Sequence, residues 1–272
     1  NNSGKTTALQ ALALWYYSVQ ANREDSARAG FSSDERLVTV VMNRLDLTAV
    51  PNPTAAILWN KLHLKNHEPV WITIGVTGVT DQKEWRCELN FEYFNEESFN
   101  CISDPIPPTE AEQIRIAFLP PMSGLAAVEP RIEPGRIDVL IGEGRTAEVL
   151  RNLCHQLYES NGQNGFWDKL VSYIRGLFGA ELLSPNYIST RGEIRMEYQE
   201  RGGIKLDLSS SGRGMLQVML LLAYLYANPG TVLLLDEPDA HLEIIRQREI
   251  YHLLTEIARE QGSQIIAASH SE

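Results

Sequence analysis

Two apolar segments near the end of the chain restrict its fold more than anything else in it. Met215 to Tyr226 is almost unbroken in apolar residues, and Thr231-Val-Leu-Leu-Leu-Asp236-Glu237-Pro238 follows after a short break. The first is shorter than the roughly 20 residues a membrane span needs, so it suits a helix buried in a core. The second is a leucine-rich run ending in two carboxylates, as expected of a strand covered on both faces in a parallel sheet. Ligands of open α/β sheets bind outside the carboxyl edge of the strands, and Asp236 and Glu237 would stand there. Asp236 could then hold a Mg²⁺ shell and Glu237 could orient or deprotonate an attacking water. Taken alone, Asp-Glu-Pro is also ordinary turn chemistry.

The opposite end of the chain gives those acids a partner. Asn1-Asn2-Ser3-Gly4-Lys5-Thr6-Thr7 matches the rear half of Gly-x-x-x-x-Gly-Lys-[Ser/Thr], so a strand and a first glycine are expected before Asn1. In such a loop, backbone N–H groups and a helix N-terminus surround the β- and γ-phosphates, Lys5 adds a point charge, and the Thr6 hydroxyl ligates the bridging Mg²⁺. Gly4 lets the backbone approach the phosphate with no Cβ in the way. The same residues contain an Asn-x-Ser sequon, but Leu9, Leu12, Leu14, Trp15 and Tyr16 read as an apolar helix starting at the glycine. That context favours phosphate binding by Asn2, Ser3, Gly4, Lys5, Thr6 and Thr7.

A third element lies between them. Leu208-Ser209-Ser210-Ser211-Gly212-Arg213-Gly214 precedes the long apolar stretch and would cap it. Free N–H groups, hydroxyls and a positive dipole end suit a phosphate, although a serine cluster is also simply a good N-cap. A further strand, Gln264-Ile-Ile-Ala-Ala-Ser-His270-Ser, places His270 where it could hydrogen-bond a γ-phosphate.

In this order, Asn2-Ser-Gly-Lys-Thr-Thr7, Leu208-Ser-Ser-Ser-Gly-Arg213, Leu233-Leu-Leu-Asp-Glu-Pro-Asp-Ala-His-Leu242 and Ser269-His-Ser271 resemble an ABC-type ATPase head, and more narrowly the SMC, RecF and OLD branch. The resemblance implies an α/β P-loop fold with a mainly parallel central sheet, an antiparallel β subdomain and a helical lobe. It implies ATP and Mg²⁺ as cofactors, Lys5 and Thr6 as the phosphate loop, Asp236 as the Walker B acid, Glu237 as catalytic base and His270 as the switch histidine. Ser209, Ser210, Ser211 and Gly212 become the signature, which in that family completes the nucleotide site of the opposite protomer. Partners implied are a second copy across an ATP sandwich, a nuclease or toxin effector and, as an option, DNA. The setting implied is cytoplasmic antiviral defence or DNA repair, with a transporter ATPase subunit or a non-hydrolysing nucleotide-gated scaffold as alternatives.

Several positions depart from the family pattern. Ser-Ser-Ser-Gly stands where transporter heads carry Ser-Gly-Gly-Gln, and the serine that touches the γ-phosphate stays open among the three. Glu243 replaces the aspartate that ends the following loop in transporters. No residue fits the glutamine loop, because Gln113 lies at the wrong end of the strand Ile114 to Leu119, which runs into Pro120-Pro121-Met122-Ser123.

Composition sets further bounds. A net charge of −11 works against a nucleic-acid grip, and Arg145, Arg151, Lys169 and Arg175 read more simply as solvated helix charges. Cys87, Cys101 and Cys154 have no metal spacing and read as reduced, packed thiols. The motifs divide the chain into an N-terminal ATPase lobe (1–142), a helical lobe (143–190) and a C-terminal ATPase lobe (191–272). Antiparallel strands are expected over 35–50 and 70–102, a loop over 120–141, two or three helices over 146–179 without coiled-coil arms, and a hairpin over 193–208.

Overall fold

The computed structural model describes residues 4–29, 38–47, 50, 53–59, 65–66, 68–200 and 203–269. Its contacts fall into two units, Asn1–Ile116 and Ala117–Glu272.

The first unit contains α1 (Lys5–Ala29), β1 (Val38–Asn43), β2 (Lys65–Asn66), β3 (Glu68–Pro69), β4 (Trp71–Thr80), β5 (Lys83–Tyr93), β6 (Ser98–Ser103) and α2 (Thr109–Gln113). An antiparallel sheet in the order β1-β6-β5-β4 fulfils the expectation of paired strands. On β5 the period is two: Trp85, Cys87, Leu89 and Phe91 are buried while Arg86, Glu88, Asn90 and Glu92 are not, as a sheet with one covered face demands. Helix α1 covers that face. Its buried stripe, Leu9, Ala13, Leu14, Trp15, Ser18, Val19 and Asn22, follows helical spacing. The two polar members are satisfied: the Ser18 hydroxyl donates to Leu14 O at 2.9 Å, and Asn22 donates to Ser18 O and accepts from Ser103 Oγ.

Trp15 on α1 stacks on Trp85 of β5 with ring centroids 6.3 Å apart. Directly beneath Trp85 is Gly78 of β4, where an added Cβ would lie 2.2 Å from the indole ring. Backbone and indole therefore touch with no space for a methyl group. Asp81 and Gln82, both at positive φ, close the β4–β5 hairpin in the mirror-image turn that suits the twist of two paired strands.

The second unit contains β7 (Ile116–Leu119, entering from the first), α3 (Pro134–Gly142), α4 (Leu150–Glu159), α5 (Asn161–Asn164), α6 (Phe166–Phe178), β8 (Ala180–Leu182), β9 (Asn186–Ile188), β10 (Glu193–Arg195), β11 (Glu197–Glu200), β12 (Lys205–Asp207), α7 (Arg213–Ala227), β13 (Val232–Asp236), α8 (Ile244–Glu260) and β14 (Gln264–Ala268). Strands run in the order β14-β13-β7, and β13 pairs with β14 in parallel from Val232↔Gln264 to Asp236↔Ala268. Every residue of α7 from Met215 to Tyr226 is buried. Helices α4, α6 and α8 pack against α7, and the Tyr224 hydroxyl donates to Phe118 O on β7 at 3.1 Å.

Two local expectations need correction. The segment 120–141 is not a loop throughout, because α3 starts at Pro134. Proline suits the first helical position, whose N–H would have no helical acceptor anyway, and Ile137, Leu140 and Ile141 then give the buried stripe. Within 193–208 the hairpin is β11–β12, while β10 pairs instead with β9. The division falls at the fully buried Met196, whose carbonyl accepts from Leu208 N.

Replacing Gly78 by alanine should push Trp85 off its seat and loosen α1. Overpacking of this kind costs about 1–3 kcal/mol, to be read as a lower denaturant midpoint at unchanged slope.

Candidate functional site

In the first unit, Gly4 has φ +75° with open space where a Cβ would stand. Its carbonyl accepts from Ala8 N at 2.9 Å, opening the 25-residue α1. Lys5, Thr6 and Thr7 are exposed in the first turn, which contains no acidic residue. A helix N-terminus with an adjoining ammonium and hydroxyls fits a phosphate. Asn2 and Ser3 lie outside the described residues.

In the second unit, Asp236 ends β13 at the carboxyl edge and is 5% exposed. Glu237 follows with φ +49°, a left-handed conformation that a non-glycine residue adopts only when its surroundings hold it there. Its N–H donates to Ala268 O of β14 at 2.8 Å, so the parallel neighbour fixes the turn that carries the acid. Asp239, 6% exposed, accepts from Ser269 Oγ at 2.8 Å, and Tyr251 of α8 reaches the same pair. Burial raises the Tyr251 phenol, its bond to Ser269 lowers it, and Asp239 raises it. Two successive bonds thus tie the acidic turn to the end of β14. His270, the next residue, lies outside the described residues.

The serine turn caps α7 through Gly212 and contains a 3-10 turn over Leu208–Ser210. Ser209 N and Ser209 Oγ donate to Asp207 Oδ1 at 2.9 and 2.6 Å. Ser210 Oγ donates to Asp207 O at 2.7 Å, and Ser211 Oγ to Leu208 O at 2.8 Å. Burial works against ionisation of Asp207, yet the Ser209 bonds and the nearby Arg151 outweigh it and hold the carboxyl below its ordinary range. Ser209 and Ser210 are exposed and Ser211 is half-buried.

Helix α7 and the acidic turn touch. A Cβ on Gly214 would meet His241 O at 3.2 Å, and Gln217 Nε2 donates to Pro238 O at 3.3 Å. Ser211 and Gly212 share an open cleft of about 280 Å³ with His241, Glu243 and Arg246. A smaller cavity of about 90 Å³ lies between Met122, Ser123 and Gly124 on one side and Arg213 and His241 on the other. The stretch after β7 therefore borders the serine turn, and Ser123 is engaged there with Thr146.

Sequence reasoning missed Asp207, Asp239, Gln217 and the role of Arg151. Arg145, Lys169 and Arg175 are exposed and paired with Glu148, Glu260 and Glu181, as solvated helix charges should be. Arg151 is the exception at 1% exposure. Its signal in the sequence was its place in Leu150-Arg151-Asn152-Leu153, at a helix start flanked by core leucines.

A protein-family model described as "AAA domain, putative AbiEii toxin, Type IV TA system" matches residues 135–272, just over half of the chain. The chain belongs to this AAA family. Among solved structures, an Smc head bound to the C-winged helix domain of ScpA is 14% identical, the alignment covering 100% of this chain and 80% of that one at a TM-score of 0.49. An Smc head domain with an extended coiled coil, bound to the C-terminal domain of ScpA and derived from Pyrococcus furiosus, is 13% identical over 99% of this chain and 82% of that one, at 0.46. An SMC head domain from Thermotoga maritima is 14% identical over 72% and 64%, at 0.37. No curated protein sequence matches the chain significantly.

Ser269→Ala should destabilise this AAA domain, because it takes a hydroxyl donor from a buried carboxylate. The loss should be about 1–3 kcal/mol by denaturant unfolding; an unchanged midpoint would show that Asp239 does not need the bond.

Proposed function

We propose that the chain is the ATP-binding and ATP-hydrolysing head of a nucleotide-gated switch. The observation that carries this reading is the acidic turn. A carboxylate pair at the carboxyl edge of a parallel strand has its second member held in a left-handed backbone and clamped to the neighbouring strand. Such an edge is where α/β sheets take their ligands, and a rigidly placed acid is what general-base chemistry on water needs.

In this proposal Asn2, Ser3, Gly4, Lys5, Thr6 and Thr7 hold the phosphates. Thr6 and Asp236 would hold Mg²⁺, which when bound supplies charge neutralisation between phosphate oxygens. Glu237 takes the proton of the attacking water, and His270 contacts the γ-phosphate. Ser209, Ser210, Ser211 and Gly212 face the nucleotide of a second copy, which suits the exposure of Ser209, Ser210 and Gly212 at the start of α7 and the positive end of its dipole. Two heads then close around two nucleotides and part after hydrolysis.

The output depends on what the head is joined to. The family description names an AbiEii toxin and a type IV TA system, which favours a toxin effector over DNA repair; a nuclease effector and cytoplasmic antiphage defence belong to the proposal alone. No described helix is long and apolar enough to cross a membrane.

Lys5→Ala should abolish binding of a fluorescent ATP analogue. Glu237→Gln should keep nucleotide binding, lower turnover by about 100-fold or more, and accumulate an ATP-dependent dimer in size-exclusion chromatography. Turnover at the parental rate in the Gln variant would remove Glu237 from the role of base.

A further inference from the structure

The serine turn is held by a charge that it does not itself contain. Asp207 Oδ1 accepts from Ser209 N, Ser209 Oγ and Arg151 Nη2, the last at 3.3 Å. Asp207 is half-exposed, whereas Arg151 is fully buried. A buried guanidinium persists only where its donors and its charge are met.

Here the requirement is met in a way that leaves one arm free for Asp207. Glu129, itself 0% exposed, accepts from Arg151 N at 2.9 Å, from Asn152 N at 2.6 Å and from Asn152 Nδ2 at 2.7 Å. These are donors at the start of α4, so the helix terminus and Asn152 satisfy this carboxylate directly. The Arg151 Nη1 atom is 3.8 Å from Glu129, close enough to balance its charge. The same atom donates to Ala126 O at 2.8 Å. One arm of the planar fork is thereby fixed, and its other arm reaches Asp207. A lysine would carry the charge but could not span Ala126 O and Asp207 with a rigid fork.

We propose that Asp207, steered by the buried Arg151, is a positioning residue for the serine turn. The carboxylate sets where Ser209 stands and how its hydroxyl points, and the 3-10 turn transmits that placement to Ser210, Ser211 and the first N–H groups of α7. The proposal rests on the reading of this turn as the nucleotide-facing element of a second copy. A purely structural ion pair would contribute to stability alone, whereas a positioning pair acts on turnover after nucleotide has bound.

The test compares the full protein with Asp207→Ala, Arg151→Lys and the double variant, and uses Lys5→Ala to judge the underlying reading. Melting temperature, affinity for a fluorescent ATP analogue, turnover and backbone hydrogen exchange over residues 208–214 are measured. Asp207→Ala should melt below the parent, since it takes an acceptor from the buried Arg151 and from Ser209, yet bind the analogue with unchanged affinity. Its kcat should fall about tenfold or more, and exchange should quicken in 208–212 and not across the rest of α7. Arg151→Lys should move the same readouts in the same direction, and the double variant should lose no more than Asp207→Ala, since both changes break one linkage. If Arg151→Lys fails to fold, Asp207→Ala decides alone. Parental turnover or unchanged exchange in Asp207→Ala overturns the proposal. If Lys5→Ala leaves turnover intact, the nucleotide reading fails, while the exchange data still judge whether Asp207 places the turn.

Discussion

Burial of α7 is the constraint on which the second unit depends. A helix whose residues from Met215 to Tyr226 are all out of water needs neighbours on every side, and each aliphatic side chain covered contributes about 2 kcal/mol. Sheet β14-β13-β7 and helices α4, α6 and α8 supply that cover. Because α7 is enclosed along its length, its polar business is confined to particular points. The serine turn lies at its start, Gln217 reaches Pro238, and the Tyr224 hydroxyl meets the β7 carbonyl.

The same enclosure explains why the chemistry-bearing groups are held by short polar links. Glu237 stands in a backbone conformation that is unfavourable by itself, and the Ala268 carbonyl and the Asp239–Ser269 bond keep it there. The serine turn has flexible hydroxyls, and Asp207 accepts from Ser209 while Arg151 fixes Asp207. In both places a buried or half-buried carboxylate converts a loose segment into a placed one. In the proposed switch, such placement would leave little rearrangement for the moment of closure.

Some of this was legible in the residues themselves. The period of two on β5, the stripe of α1 and the leucine run of β13 each follow from covering one or two faces, so they could be read without the fold. The Pro134 helix was missed because proline and glycine density suggested a loop, although the spacing of Ile137, Leu140 and Ile141 pointed to a helix. Lys5, the serines and the Asp236-Glu237 pair stand out as candidates because each motif keeps its own residues adjacent in sequence. Arg151 was misread as solvated, because charge and helical spacing look the same in sequence whether a helix start faces water or a core. Asp239 was passed over as part of a turn, since its partner Ser269 is thirty positions away.

The sequence alone determined which long apolar segments must be buried and which side chains have the chemistry to be candidates for phosphate, metal and water. These depend on local pattern, and local pattern survives in one dimension. Only the tertiary structure decided that Arg151 is a buried charge, that Asp207 receives both it and Ser209, and that Asp239 binds Ser269. Those facts depend on which distant groups are brought within hydrogen-bond reach once water is excluded, and desolvation makes each such meeting obligatory.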